Sequence, residues 1–91
     1  MGHLRGSDAR LKRSMRPTGA LLRCARGVTL REHTWRWTRA ATAAGYPAAY
    51  GGGAVARGVL AQEVLAVAPW AVHVDARGML IVNYGALGLP C

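Results

Sequence analysis

Between Leu60 and Ala68 the only polar residues are Gln62 and Glu63, and Pro69 follows directly. That pattern predicts a short helix buried over most of its surface and stopped by the proline. Two β-favouring runs come next, Val72-His73-Val74 and Met79-Leu80-Ile81-Val82. Asp75-Ala76-Arg77-Gly78 between them puts Asp at the first and Gly at the last position of a type I turn, which makes the pair a hairpin. Asn83 is suited to cap a helix that opens with Tyr84-Gly85-Ala86-Leu87. Upstream, alternation runs from Val28 to Thr38. Val28, Leu30, Glu32, Thr34, Arg36 and Thr38 share one face, while Thr29, Arg31, His33, Trp35, Trp37 and Arg39 share the other. This predicts a strand ending in a Trp pair. Leu21, Cys24, Ala25 and Val28 fall at helical spacing, which predicts a helix over Thr18–Arg26 with Gly27 at its C-cap. Ala40–Ala56, rich in Ala and Gly, reads as a loop, and Met1–Gly6 as a short polar leader. Together these elements give a small mixed α+β domain with short helices, a strand, a hairpin and a truncated C-terminal helix.

Composition narrows the picture. Ninety-one residues allow one small domain, whose core is marginal without a partner. Hydrophobic residues make up 52%, but much of that is Ala; Phe is absent and Ile81 is the only Ile. A thin core of Leu, Val and Trp is expected. The net charge is +8, with ten of the twelve Lys and Arg residues in positions 1–39. Such a bias suits a nucleic-acid surface, a mitochondrial transit peptide or a solvated arginine-rich face, and the last is the reading composition favours. Trp35 and Trp37, interleaved with Arg31, Arg36 and Arg39, could stack on bases; packing into the core under an arginine cover is the preferred reading.

Several chemistries are disfavoured. Gly51-Gly52-Gly53 lacks the Gly-Lys-Ser/Thr ending of a phosphate-binding loop. Cys24 and Cys91 stand alone, without a Cys-x-x-Cys pair, so neither a metal site nor a disulfide framework is indicated. Cys24 reads as core and Cys91 as free. His33 has no carboxylate or Cys at ligand spacing and reads as structural. The longest uncharged run, Ala40–Ala56, carries four Gly and one Pro and is too poor in apolar residues to span a membrane. Residues 1–16 contain no apolar run of the secretory type.

One stretch carries candidate chemistry, Ser7-Asp8-Ala9-Arg10-Leu11-Lys12. A Ser hydroxyl becomes a useful nucleophile when a base takes its proton. A Lys serves as that base only when neutral, which burial or nearby positive charge would favour. Arg10 and Arg13 are the nearby cations in the sequence. A spacing of five puts Ser7 and Lys12 on a common face of neither a helix nor a strand, so they must meet across a bend or between subunits. Asp8 is placed to cap such a turn or to orient the arginines. Gln62 and Glu63, a polar pair in an apolar segment, are expected to find hydrogen-bond partners.

The order of these motifs resembles a known family. Ser7-Asp8-x-Arg10-x-Lys12, then Arg16-Pro17, then Val59-Leu60-Ala61-Gln62-Glu63-Val64, a proline, a hairpin with Asp and Gly at its turn, and Asn83-Tyr84-Gly85-Ala86-Leu87 are similar to the C-terminal chaperone domain of phage endosialidases and tail spikes. This is the peptidase S74, or intramolecular chaperone auto-processing, family. The resemblance implies a leader of residues 1–6, a domain of residues 7–91, and self-cleavage of the Gly6–Ser7 bond. Ser7 would be the nucleophile and Lys12 the general base, with Asp8, Arg10, Gln62 and Glu63 in support and no cofactor or metal. It implies an upstream fibre or spike polypeptide as client, a homotrimer, and a location in the virion tail or in host cytoplasm during assembly; a membrane is not expected and nucleic acid is an unlikely partner. Two rivals stand beside this reading: a non-cleaving assembly module of the same fold and a basic nucleic-acid-binding protein. The chain departs from the family where Leu89-Pro90-Cys91 stops the terminal helix, usually a long coiled-coil helix, and where only six residues precede Ser7.

Overall fold

Three residues before the candidate serine the chain is already a strand. The structure, a computed structural model, describes residues 4–50 and 55–88. Strand β1 (Leu4–Gly6) pairs antiparallel with β6 (Leu80–Asn83), in the register Leu4↔Asn83, Arg5↔Val82 and Gly6↔Ile81. The last three residues of the segment expected to be a polar leader are therefore part of a sheet, because their backbone groups complete the open edge of β6. On the other side of β6 lies β5 (Val72–Val74), so this sheet has the order β1-β6-β5. A second antiparallel sheet has the order β2-β3-β4, built from Lys12–Arg23, Thr29–Trp37 and Ala56–Gly58. Three short α-helices complete an α+β fold: α1 (Arg39–Ala43), α2 (Ala61–Val67) and α3 (Tyr84–Leu87).

The predicted hairpin and terminal cap are present. The Asp75 carboxylate accepts from the N–H groups of Arg77 and Met79 at 2.8 and 3.0 Å, and Gly78 takes the left-handed conformation, φ 79°, that closes the turn. The Asn83 side chain accepts from Ala86 N–H at 3.0 Å, and α3 ends after one turn at a left-handed Gly88. The predicted Trp-ended strand is β3. Its two faces feed different clusters: Leu30 joins Val59, Ala61, Val64, Val82 and Leu87, whereas Trp35 and Trp37 join Leu11, Ala41 and Ala56. The tryptophans are buried, as preferred.

Four expectations fail or are weakened for physical reasons. The helix over Thr18–Arg26 is instead the second half of β2 and a 3-10 turn at Ala25–Gly27. β2 is exposed along nearly its whole length, so no buried face imprints a period of two on its sequence, and pairing with β3 decides its conformation. Pro17 and a positive-φ Gly19 also suit an irregular edge strand better than a helix. Cys24 is only half-buried, packed against the larger cluster. Ala40–Ala56 is not one loop: it holds α1, capped by Thr38 Oγ1 on Ala41 N–H at 3.1 Å, a 3-10 helix at Tyr46–Tyr50 and the start of β4. Helix α2 buries a narrow stripe, Ala61 and Val64, and leaves Leu65 and Val67 45% and 52% exposed. Gly51–Gly53 and Cys91 lie outside the described residues.

Candidate functional site

Ser7, Asp8 and Lys12 are buried polar residues, and local chain geometry puts them there. As β1 ends, Ser7 N–H donates to Leu80 C=O at 3.2 Å and Ser7 C=O accepts from Ala61 N–H at 2.8 Å. Gly6 lies hard against an aromatic ring: a Cβ at this position would sit 2.3 Å from Tyr46 Cδ1, so no other residue fits without displacement. The chain then bends through a 3-10 turn at Ala9–Leu11, with Leu11 N–H donating to Asp8 C=O at 3.0 Å. The chain therefore does bend between Ser7 and Lys12. Lys12 starts β2 opposite Trp37, and so shares the inward face with Trp35 and Trp37.

Asp8 holds the bend. Its carboxylate accepts five hydrogen bonds, from Arg10 N–H, Nε and Nη2, from Gln62 Nε2 and from Leu80 N–H, all between 2.7 and 3.1 Å. Burial alone would raise its pKa, but these donors, the Arg10 guanidinium first, hold it far below the usual carboxylate range. Gln62 also accepts from Ala9 N–H at 2.8 Å, so α2 grips the turn from its first helical residues.

Lys12 is almost wholly enclosed. Its Nζ lies 3.5 Å from the centroid of the Trp35 ring and donates to Val59 C=O at 2.9 Å. Burial pushes the amine down from 10.5 to about 7, against the Asp8 charge, which raises it. The expected contribution of neighbouring arginines is absent from this balance: Arg10 is ion-paired to Asp8, and the Arg13 Nε reaches Trp37 C=O at 3.4 Å. The hydroxyl of Ser7 is hydrogen-bonded to Tyr50 OH rather than to Lys12. Tyr50 OH lies 2.9 Å from Tyr84 OH, which in turn accepts from Val59 N–H at 3.3 Å. Ser7 and Lys12 are thus both tied to Val59–Ala61, one through its own carbonyl and one through its amine, with anchors no more than about 7 Å apart along the chain. The Trp35 ring packs edge-on to Tyr50 at 5.3 Å, and Arg5 covers the rings of Tyr50 and Tyr84 at 5.0 Å each.

The sequence model of one family, Peptidase S74, described as chaperone of endosialidase, matches residues 7–73. The chain belongs to this family. Its match spans the serine bend, the β2-β3-β4 sheet, helix α2 and the first two residues of β5. No curated protein and no solved structure matches the chain. Among the described residues the S74 domain has no helix long and apolar enough to cross a membrane, and no cluster of three His, Cys, Asp or Glu able to hold a metal.

Of the residues singled out from sequence, Gly6, Ser7, Asp8, Arg10, Lys12 and Gln62 surround the bend of this S74 domain. Glu63 has other partners. It is hydrogen-bonded to Arg31 and lies 3.7 Å from Nδ1 of the buried His33, so that histidine does face a carboxylate, brought across from α2. Tyr50 was not legible as a site residue. It lies 43 positions from Ser7 in a segment that reads as a loop, and no local spacing marks it. Tyr84 was visible only as part of a helix start, and Val59 contributes through its backbone, which no side-chain pattern can report.

Proposed function

We propose that this S74 domain assists the folding and trimerisation of an upstream fibre or spike polypeptide and cuts its own chain at Gly6–Ser7. The observation that carries this reading is that a serine and a lysine five residues apart, at the two ends of a clamped bend, are both withdrawn from water. A nucleophile with no solvent exposure is poorly placed for an external substrate, whereas the Gly6 carbonyl is covalently at hand. The family match begins at Ser7, which supports a domain boundary at that bond. Exposed Leu65, Val67 and Leu21 are apolar surface that subunit contacts would cover.

The neutral Lys12 amine leaves Val59 C=O and takes the Ser7 hydroxyl proton as Oγ bonds to the Gly6 carbonyl carbon. The tetrahedral centre collapses by breaking the bond to the Ser7 nitrogen, which receives the proton from Lys12. The upstream chain is then an ester on Ser7 Oγ. Water hydrolyses that ester, giving a Gly6 carboxylate and restoring the hydroxyl. Removing the assembly domain after folding makes the product kinetically locked. A second reading, an assembly module that does not cut, is favoured if Ser7 is the donor in the Ser7–Tyr50 hydrogen bond, since its proton is then occupied.

Mass spectrometry of the purified chain separates the two. Self-cleavage predicts loss of residues 1–6 in the parent and an intact chain in Ser7→Ala, with Lys12→Met at least 100-fold slower, as removal of a general base requires. An intact parent after prolonged incubation at pH 8 would leave only the assembly role.

A further inference from the structure

Resting on that self-cleavage reading, we propose that Tyr50 is a catalytic residue which donates its hydroxyl proton to Ser7 Oγ, at the end of a hydroxyl chain with a fixed direction. Of the two directions the chain allows, the proposed one is that which frees the Ser7 proton for a base. Val59 N–H can only donate, and it donates to Tyr84 OH at 3.3 Å. Tyr84 OH and Tyr50 OH are 2.9 Å apart, and Tyr50 OH is hydrogen-bonded to Ser7 Oγ. If Ser7 donated to Tyr50, and Tyr50 to Tyr84, the hydroxyl proton left without an acceptor among the described residues would be that of Tyr84. The opposite order, Val59 N–H to Tyr84, Tyr84 to Tyr50 and Tyr50 to Ser7, leaves over the Ser7 proton instead, the one that self-cleavage needs a base to take. In that order Ser7 Oγ accepts.

Surrounding groups keep the chain in this state. Burial, with the neighbouring Tyr84, holds the Tyr50 phenol well above its ordinary range, so it stays protonated and remains a donor. The rings are fixed by edge-on packing of Tyr50 against Trp35 and Tyr84 at 5.3 and 6.0 Å. Gly58 leaves room for the hydroxyls: a Cβ there would lie 2.6 Å from Tyr84 OH and 3.2 Å from the Tyr50 ring. A donor on Oγ stabilises the charge that develops as the Ser7 proton departs, and it points the remaining O–H away from Tyr50.

The test is a single-turnover time course of residue 1–6 release by the full chain, followed by mass from pH 6 to 9. Tyr50→Phe is expected to slow release by 10- to 100-fold across the range, with the inflection near pH 7 and the thermal midpoint both retained. Incorporating 3-fluorotyrosine at position 50, which restores the hydroxyl, is expected to recover the parent rate. Tyr84→Phe, which removes only the supply end, is expected to cost less than tenfold. A Tyr50→Phe chain that keeps pace with the parent overturns the assignment, as does a slowed one that 3-fluorotyrosine fails to rescue. Should Tyr50→Phe not fold, an unchanged or faster Tyr84→Phe rate overturns the directed chain. A parent that stays whole overturns the self-cleavage reading itself, a result distinct from either.

Discussion

A lysine amine enclosed by a tryptophan ring and backbone is neutral at a pH where a surface lysine carries charge. For Lys12 this has two measurable consequences of known sign. The rate of chain cutting should rise with pH and level off above an inflection near 7, where the amine loses its proton. Stability should rise over an adjoining window. Because the folded amine titrates at about 7 and the unfolded one at 10.5, the unfolded chain binds more protons between those values. The Lys12 contribution is thus complete above 10.5 and is lost as pH falls toward 7. Urea unfolding of Ser7→Ala, which does not cut, should show this upward slope, and Lys12 further changed to Met should flatten it. Asp8 acts in the acid range instead. Its folded pKa is depressed below 3.8, so its stabilisation is present above that value and is lost as pH falls below it. The Ser7–Lys12 pair was legible as residue types at a spacing that demanded a bend. What suppresses the lysine's charge was not, because burial by Trp35 and Val59 comes from segments far along the chain.

Among the elements, those specified by short-range chemistry were readable and those specified by pairing were not. Asn83 and the Asp75–Gly78 turn act within four residues of themselves, so their side-chain hydrogen bonds announced them. β2 carries no such signal. Its outer half is wet on both faces, and the accidental spacing of Leu21, Cys24 and Val28 mimics a helix. β4 is three residues long, and its value lies in one missing side chain. Gly58 brings its backbone against Tyr84, Trp35 and Tyr50, where a Cβ would sit 2.6, 3.0 and 3.2 Å from the nearest atoms. Gly58→Ala should therefore destabilise the fold by about 1–3 kcal/mol, the usual range for overpacking a filled interior. It should also slow chain cutting, because the displaced rings carry the hydroxyls that reach Ser7. Thermal unfolding and the mass time course on the same preparation check both effects.

At the scale of the whole molecule, the thin core expected from composition appears as two modest clusters, joined through β3 and the Tyr50 ring. The α+β class followed from the order of helical and alternating segments, whereas the second sheet did not, since two of its three strands carry no periodic signature. Exposed Leu65 and Val67 on one helix are suited to a subunit contact. If they form one, Leu65→Asp with Val67→Asp should lower the sedimentation mass of the assembled chain toward that of a monomer, without loss of secondary structure.

The position of β1 has a consequence for timing. Leu4–Gly6 is laced to β6 by backbone pairing, and Arg5 lies across two tyrosine rings; none of these contacts depends on the bond between residues 6 and 7. Under the proposed self-cleavage, severing the polypeptide and parting from the client would therefore be separate events. A nicked preparation should weigh as one particle in native mass spectrometry and as two pieces in acid or denaturant, and Arg5→Ala should shorten the interval between them. In that scheme the domain would stay on its product for as long as a three-residue ribbon holds.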